Sequence, residues 1–287
     1  MNPNSVERIA SYLADGFWSG RGGYSAPVLS RDVTVNITGL NAGNQALVKL
    51  ALQAWENLGF TFTLSTSARA DILFSDRIRG AATSWEDRGG LPLVHVGPDF
   101  TAAYGSHFGS YTYQSWLHEI GHALGLGHSG PYNGTGSFAT DARFADDSWQ
   151  MTVMSYFPQD ENPNTNASFA YVLTPMAADI RAVEMLYGVP ATPIGAGNQV
   201  YLWATNATGI MGVIGRELQS GRLSAPVTMT IVDHDGVDTL NFGGSRQSVT
   251  LDLAPGAVSS ALGLRDNIVI EANTVIENAN GSMVNDV

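Results

Sequence analysis

The sequence has 287 residues, of which 14 are basic and 26 acidic, giving a formal net charge of −12, and it contains no cysteine. This balance argues against a nucleic-acid partner because no basic patch can neutralise phosphates, and the missing cysteine excludes disulfides and thiol catalysis. No apolar run reaches the roughly 18 residues of a membrane span, and the first residues lack the basic and apolar regions of a signal peptide.

The first 190 residues alternate between helical and strand-like patterns. Residues 5–13 predict a short helix, and residues 45–58 predict a long amphipathic helix that Asn44 caps and Gly59 ends. Period-two alternation of apolar side chains predicts strands at 33–37, 60–64, 71–74 and 93–96. A helix then bears the motif described next, and a last helix is expected to begin after Thr174 and to end at Gly188.

The residues His118, Glu119, His122, Gly125 and His128 fill the pattern H-E-x-x-H-x-x-G-x-x-H. Two histidines four residues apart project from one face of a helix, and the intervening glutamate is offset by about 100°. Glycine then allows a sharp turn, so that the third histidine can return to the same point. Three imidazoles with a fourth position open form a catalytic zinc site, and a core helix with incidental histidines is the weaker alternative.

The residues around this pattern predict the chemistry of the site. Zinc lowers the pKa of a water molecule to about 7, and Glu119 would act as the general base for that zinc-activated water. Downstream, Val153-Met154-Ser155-Tyr156 matches a Met-turn, in which Met154 would form an apolar floor under the histidines. The remaining candidates His95, His107 and His234 lie outside any ligand spacing and are expected not to bind metal.

The segment from His118 to Asn133, H-E-I-G-H-A-L-G-L-G-H-S-G-P-Y-N, resembles the serralysins, which are secreted bacterial metzincin peptidases that typically read H-E-I-G-H-A-L-G-L-x-H-P-G-x-Y-N. Segments 152–157 and 174–188 resemble the Met-turn and the closing helix of that family. Ser129 stands where the family usually has proline, which we expect to alter only a loop. The family's tandem G-G-x-G-x-D-x-U-x repeats are missing, apart from a faint echo at 281–287.

The resemblance implies an α+β fold with two domains. Residues 1–190 would form a metzincin-type zinc metallopeptidase domain, a twisted mixed sheet with two long helices. Residues 191–287 would form a truncated calcium-binding β-roll or sandwich-like module with one or two structural calcium ions. Strands of this module are expected at 200–203, 227–232, 239–242, 249–253, 268–271 and 275–277.

The resemblance also implies further ligands. Tyr156 would ligate zinc in the resting enzyme and then donate a hydrogen bond to the oxyanion; a packed aromatic ring is the alternative. Two calcium ions would be held by side chains and backbone carbonyls, with a solvated acidic turn as the alternative. The calcium ligands implied are Gly195, Gly197, Gln199, Asp233, Asp235 (through its backbone carbonyl), Gly236, Asp238, Val275 (through its backbone carbonyl) and Glu277.

These features predict a secreted, extracellular, zinc-dependent endopeptidase that is monomeric and acts on protein or peptide substrates. Export by a type I route without a leader, and a proteinaceous inhibitor, are further expectations from the resemblance. An extended substrate would add a strand to a sheet edge, for which residues 80–85 are a candidate. The alternatives are a calcium-organised binding or adhesion module with a vestigial zinc site, and a zinc hydrolase that is not a peptidase.

Overall fold

The computed structural model describes residues 1–21, 28–85 and 89–286. The chain begins with helix α1 at Pro3–Ser11, which continues through a π-helical segment at Tyr12–Gly16 into the short helix α2 at Phe17–Ser19. The predicted short helix is therefore confirmed. Ile9 and Leu13 are completely buried, because the apolar face of this segment packs against the rest of the domain.

A five-stranded sheet lies behind the active-site helix. Its strands are β1 (Asp32–Asn36), β2 (Thr61–Leu64), β3 (Ile72–Ser75), β4 (Ala81–Ser84) and β5 (Leu93–Val96). The order is β2-β1-β3-β5-β4, and β4 is an edge strand that runs antiparallel to β5 while the other pairs are parallel. The four predicted strands are confirmed within a residue or two, and segment 80–85 does lie at a sheet edge.

Two long helices cover this sheet. Helix α3 spans Ala42–Glu56 and, after the short helix α4 (Pro98–Tyr104), helix α5 spans Tyr111–Ala123. The indole nitrogen of Trp55 donates to the carbonyl of Leu117 at 3.1 Å, which fixes α3 against α5. The predicted cap of α3 is wrong: Asn41 accepts from the backbone of Asn44, whose own side chain points inward and donates to the Asp76 carboxylate at 2.9 Å.

The long polar segment after α5 has little regular structure. It contains helix α6 (Phe138–Asp141) and a 3₁₀ turn at Gln159–Glu161, followed by β6 (Tyr171–Val172) and helix α7 (Ala177–Tyr187). Helix α7 ends at Gly188 as predicted, with a φ of 75°. The predicted cap by Thr174 is wrong, because the Asp179 carboxylate accepts from the Met176 backbone at 2.8 Å and Thr174 bonds to the backbone of Thr230 instead.

Short strands dominate residues 191–286. The elements are β7 (Val200–Leu202), α8 (Gly209–Gln219), β8 (Val227–Ile231), β9 (Thr239–Asn241), β10 (Val258–Ser259), β11 (Ile268–Ile270) and β12 (Asn278–Asn280). Strands β12-β9-β7 form a parallel three-stranded sheet, and β10-β11-β8-β6 form a second, mixed sheet.

The sequence did not predict helix α8, because its three glycines have low helix propensity. Packing overrides this propensity, since Ile210, Met211 and Ile214 are buried. The strand predicted at 249–253 is reduced to an isolated bridge between Thr250 and Ser260. The strand predicted at 275–277 is wrong, because the chain there presents Glu277 to the backbone of Asp238 and enters β12 only at 278.

The two predicted domains share a core. Strand β6 pairs with β8 through Tyr171–Val227 and Val172–Thr228, so one sheet crosses the proposed boundary at residue 190. Buried apolar side chains from both parts form one continuous cluster. The division into 1–190 and 191–287 stays a prediction. No helix within the described ranges is long and apolar enough to cross a bilayer.

Candidate active site

Three imidazoles converge at the C-terminal end of α5. His118 and His122 project from one face of the helix, the chain turns at Gly125 with a φ of 94°, and His128 returns towards them. The Nε2 atom of His128 lies 2.9 Å from that of His122 and 3.3 Å from that of His118. Of the residues that the structure describes, only these form a group of three or more imidazole or carboxylate ligands within 4.8 Å of one another.

The other nitrogen of each ring faces a backbone carbonyl. The Nδ1 atoms of His118, His122 and His128 lie 2.8, 2.7 and 3.0 Å from the carbonyl oxygens of residues 153, 126 and 132. A carbonyl accepts only, so each Nδ1 carries the proton and each Nε2 presents a lone pair. Burial lowers the pKa of His118 to about 4 and lowers those of the other two rings well below their usual value.

This donor set fits a zinc ion. Three neutral imidazoles present lone pairs towards one another at hydrogen-bond distance, with no proton between them, and only a cation can satisfy all three. Imidazole nitrogen is a preferred zinc ligand, and a second hydrogen bond that fixes the ring is the usual support of such a ligand. The three histidines could therefore hold zinc, and His118 lines the adjoining cleft.

The Met-turn lies directly beneath the histidines. Met154 is buried, and a Cβ at Gly121 of α5 would lie 2.6 Å from its sulfur. The turn is held by the buried carboxylate of Asp179, which accepts from the Thr152 hydroxyl and, at 2.8 Å, from the Val153 backbone. Asp179 therefore holds the backbone of the residue whose carbonyl accepts from His118. Sequence reasoning missed Asp179, whose place in the first turn of α7 suggests only a helix cap.

Glu119 lies beside the histidines at the wall of the cleft. Its carboxylate accepts from the Thr83 hydroxyl at 3.0 Å, and the same hydroxyl also donates to the Glu119 backbone carbonyl at 2.8 Å. Burial raises the pKa of Glu119 to about 8, although the hydrogen bond from Thr83 acts in the opposite direction. A metal cation at the histidines would lower that pKa. Thr83 lies on the edge strand β4, and no pattern in the sequence predicted its contact with α5.

The cleft beside these groups has a volume of about 360 Å³. Its wall includes Glu119, Ala81 of the edge strand and Tyr156 of the Met-turn, and it extends towards a group of aromatic rings. The Tyr156 ring centroid lies 4.6 Å from that of His128, and its half-buried hydroxyl accepts from the backbone of Gly134 at 3.1 Å. Burial raises the pKa of this phenol, so the neutral form is favoured. Its two implied roles stay predictions.

The loop that carries the third histidine differs from expectation. Ser129 was expected to alter only a loop, but it is completely buried and its hydroxyl donates to the Asp147 carboxylate at 2.6 Å. Proline at this position could not make that bond. The N-terminal segment also reaches the site, since the Phe17 ring packs edge-on at 5.0 Å from the His128 ring and the Trp18 indole donates to the Gly125 carbonyl at 2.9 Å.

The implied calcium ligands gather around two aspartates. Asp233 and Asp238 are both 1% exposed, whereas Asp235 and Gly236 between them are exposed. Asp238 accepts from the Gln199 backbone at 2.7 Å, and its own backbone donates to Glu277 at 2.7 Å. A Cβ at Gly195 would lie within 2.5 Å of the Asp233 carboxylate, so this backbone approaches closely. Burial raises the pKa of Asp233 to about 6, and the nearby carboxylate of Asp238 acts in the same direction.

The other implied ligands lie nearby or are exposed. A Cβ at Gly236 would lie 2.4 Å from the Gly197 carbonyl, which brings those two glycines together. The side chains of Asp235 and Val275 are exposed, which is consistent with ligation through their carbonyls alone. The calcium assignments stay predictions. His234 lies 3.4 Å from Glu271, outside the histidine cluster, and His95 and His107 are also absent from it.

A helix with convergent histidines and a glutamate, above a Met-turn, defines a metzincin-type metal site. Residues 192–287 match the family described as Peptidase M10 serralysin C terminal. The chain is 32% identical to serralysin B of Dickeya chrysanthemi over 266 residues, covering 83% of this chain and 51% of that protein. It is 37% identical to serralysin of Proteus mirabilis over 185 residues, covering 62% of this chain and 35% of that protein.

Among solved structures, the chain gives a TM-score of 0.38 with myroilysin at 16% identity, over 56% of this chain and 95% of that one. The chain spans about half the length, or less, of the curated relatives described above. The sequence comparisons confirm the resemblance: the chain is a relative of the serralysin-type metzincins. These relatives constitute a metalloprotease family, which implies a metal cofactor.

Proposed function

We propose that this protein is a secreted, zinc-dependent endopeptidase that cleaves peptide bonds in protein substrates. The observation that carries the proposal is the convergence of the His118, His122 and His128 lone pairs beside the Glu119 carboxylate, at the wall of an open cleft. Secretion is supported by the relationship to serralysins. A monomeric state and a proteinaceous inhibitor complete the proposal.

Zinc, when bound by the three imidazoles, would supply a Lewis acid that acidifies water and polarises the scissile carbonyl. Glu119 would take up the proton of the attacking water and pass it to the leaving amine. Its burial favours proton uptake, and Thr83 holds one of its oxygens at 3.0 Å, which orients the other. Tyr156, once turned away from Gly134, would donate a hydrogen bond from its hydroxyl to the developing oxyanion.

We expect an extended substrate to bind along the edge strand β4. It pairs with β5 on one side only, and its residues Ala81–Ser84 alternate between half-buried and exposed. An extended peptide can add to such an edge through main-chain hydrogen bonds. Because Ala81 lines the cleft and Thr83 contacts Glu119, a peptide on this edge would pass directly in front of the general base.

The proposal is tested by cleavage of casein or azocoll, together with metal analysis of the same sample. We expect proteolysis with one zinc ion per chain, and inhibition by 1,10-phenanthroline that added zinc reverses. A calcium-organised binding or adhesion module with a vestigial zinc site predicts no cleavage even when zinc is bound. Stoichiometric zinc without proteolysis of any protein or peptide would therefore refute the peptidase and favour that alternative.

Replacing Tyr156 with Phe is expected to lower kcat about 10²–10³-fold while KM changes little, which is the typical loss for one oxyanion donor. The hydrogen bond would form chiefly in the transition state, so binding of substrate should be spared. Zinc should remain bound, since three histidines suffice. The measurement compares kcat and KM on one peptide, and an unchanged kcat would leave Tyr156 as a packed aromatic ring.

Calcium removal is expected to lower the melting temperature while zinc stays bound. Asp233 and Asp238 are buried close together, and a cation between them would relieve their repulsion and tie the 195–199 segment to the β-strands. Binding to the native state alone stabilises by about 2.7 kcal/mol at 100-fold saturation. The measurement is a melting curve of calcium-stripped protein with and without millimolar calcium, with zinc content monitored.

Asp238→Ala should remove this calcium-dependent stabilisation, because Asp238 is shared by both proposed calcium sites. Asp235→Ala is the matched control, since Asp235 is exposed and would ligate only through its backbone carbonyl. We expect Asp235→Ala to retain the shift in melting temperature. Identical curves for wild-type protein with and without calcium would contradict the assignment.

A further inference from the structure

We propose that Asp147 is a positioning residue for the metal site, because its buried carboxylate joins the loop of the third histidine to the Met-turn. The inference rests on the proposed zinc site and adds a residue to it. Asp147 accepts from the Ser129 hydroxyl at 2.6 Å and from the Tyr132 hydroxyl at 3.0 Å. It also bonds to the Ser155 hydroxyl, and none of its surface is exposed.

The route from Asp147 to His128 runs through two residues of the same loop. The Tyr132 carbonyl accepts from His128 Nδ1 at 3.0 Å and so fixes the ring and its tautomer. The Tyr132 hydroxyl is held by Asp147 and also lies 2.7 Å from the Ser129 hydroxyl. Ser129 directly follows the histidine. Both ends of the short segment that aims the third imidazole are therefore attached to one carboxylate.

The route from Asp147 to the Met-turn runs through Ser155. This buried residue stands between Met154 and Tyr156, and its carbonyl accepts from the Trp149 indole at 2.9 Å. A change in the Ser155 hydrogen bonds would therefore displace both the floor of the site and the tyrosine beside it. One buried group thus contacts both the loop of the third histidine and the turn beneath it.

The other two histidines also donate to backbone carbonyls, and each carbonyl is held differently. The acceptor of His118 is the Val153 carbonyl, and Asp179 holds the backbone of the same residue. The acceptor of His122 is the Leu126 carbonyl, in the turn that follows α5, where the Leu126 backbone donates to the Gly121 carbonyl of that helix at 3.0 Å. The acceptor of His128 lies in an irregular loop, and there Asp147 supplies the anchor that Asp179 supplies for His118.

Burying a carboxylate without an ion pair costs folding free energy, which argues that Asp147 has a role beyond packing. Asp147 forms no ion pair within the described part of the chain, so hydroxyl donors supply the side-chain partners of its carboxylate. Burial raises the pKa of Asp147, and the three hydroxyl hydrogen bonds act in the opposite direction. A buried carboxylate held by several donors fixes their positions relative to one another, because losing any one leaves it less well satisfied.

The test measures the zinc dissociation constant by competition with a chelator in the whole chain. Ser129→Ala and Asp147→Asn are expected to raise that constant about 10–100-fold, the usual effect of losing an outer partner of a ligand. The matched control is Ser148→Ala, because Ser148 is also buried and its hydroxyl has no hydrogen-bond partner in the described ranges. We expect this control to bind zinc as the wild type does, and Ser129→Thr to restore tight binding.

Two further readouts separate positioning from mere stability. The melting temperature of the zinc-free protein reports the fold alone, and the visible spectrum of the cobalt-substituted protein reports ligand geometry. A changed spectrum with weakened metal binding in Ser129→Ala supports the proposal, even if Asp147→Asn fails to fold. Zinc affinity and spectrum equal to those of Ser148→Ala overturn it. If the variants match the control but the wild type binds zinc and cleaves protein, only the role of Asp147 is wrong and the proposed function stands. A wild type that binds no zinc would overturn both the role of Asp147 and the proposed function.

Discussion

Replacing Glu119 with Gln is expected to lower kcat/KM about 10²–10⁴-fold while zinc stays bound at one ion per chain. Glutamine has nearly the same shape and can still accept from the Thr83 hydroxyl, but it cannot take up a proton at the working pH. Because Glu119 is adjacent to the ligands without being one, the three imidazoles should be undisturbed. The measurement combines peptide cleavage with metal analysis of the same preparation.

Glu56→Gln is the matched control, since Glu56 is an exposed residue at the end of α3 and takes no part in the cleft. It should cleave peptide as the wild type does. Near-normal cleavage by Glu119→Gln with zinc bound would show that another group acts as the base, and the proposed mechanism would be wrong. Loss of zinc from Glu119→Gln would instead show that this side chain supports the metal.

Replacing His128 with Ala is expected to release zinc and, with it, all metal-dependent proteolysis. Two imidazoles remain, both on helix α5, so the proposed zinc site loses one of its three protein ligands. The variant also leaves the Tyr132 carbonyl without its partner, because His128 Nδ1 is its donor at 3.0 Å. Dialysed protein should therefore contain far less than one zinc ion per chain and should show no cleavage inhibited by phenanthroline.

His107→Ala provides the control for this change, because His107 is exposed and outside the cluster of converging imidazoles. It should retain both zinc and activity. Tight stoichiometric zinc in His128→Ala would remove His128 from the ligand set. The melting curve of the zinc-free variant reports whether it still folds; we expect a cooperative transition at a lower temperature than that of the zinc-free wild type, because a buried ring and its hydrogen bond to Tyr132 are lost.

The active-site helix is the part that local sequence determined. The four-residue interval between His118 and His122 places both rings on one face of any helix, and Gly125 permits the positive φ at which the chain turns. Most strands of the first sheet were likewise predictable, because alternation of apolar side chains reports burial of one face. These features depend on residues that are close together along the chain.

The hydrogen bonds that complete the site were decided by the tertiary structure. His118 finds its acceptor 35 residues away in the Met-turn, and Thr83 reaches Glu119 across 36 residues from the edge strand. Capping was decided in the same way, since Asp179 accepts from the backbone at the start of α7 and from the Met-turn, whereas Thr174 bonds to the backbone of Thr230. A polar side chain has many possible partners of similar energy, and only the path of the loops selects one.

Ser129 shows the difference between what the sequence determines and what only the fold determines. The sequence shows that a serine replaces the proline usual in the serralysins, but it does not show what the hydroxyl meets. The fold buries that hydroxyl against Asp147, 18 residues further along the chain. The sequence by itself therefore determined the placement of His118, His122 and the glutamate on one helix and of the turn after them, because helix periodicity and the glycine fix that local geometry. The fold decided which buried groups hold them, because those contacts join segments whose separation no local pattern encodes.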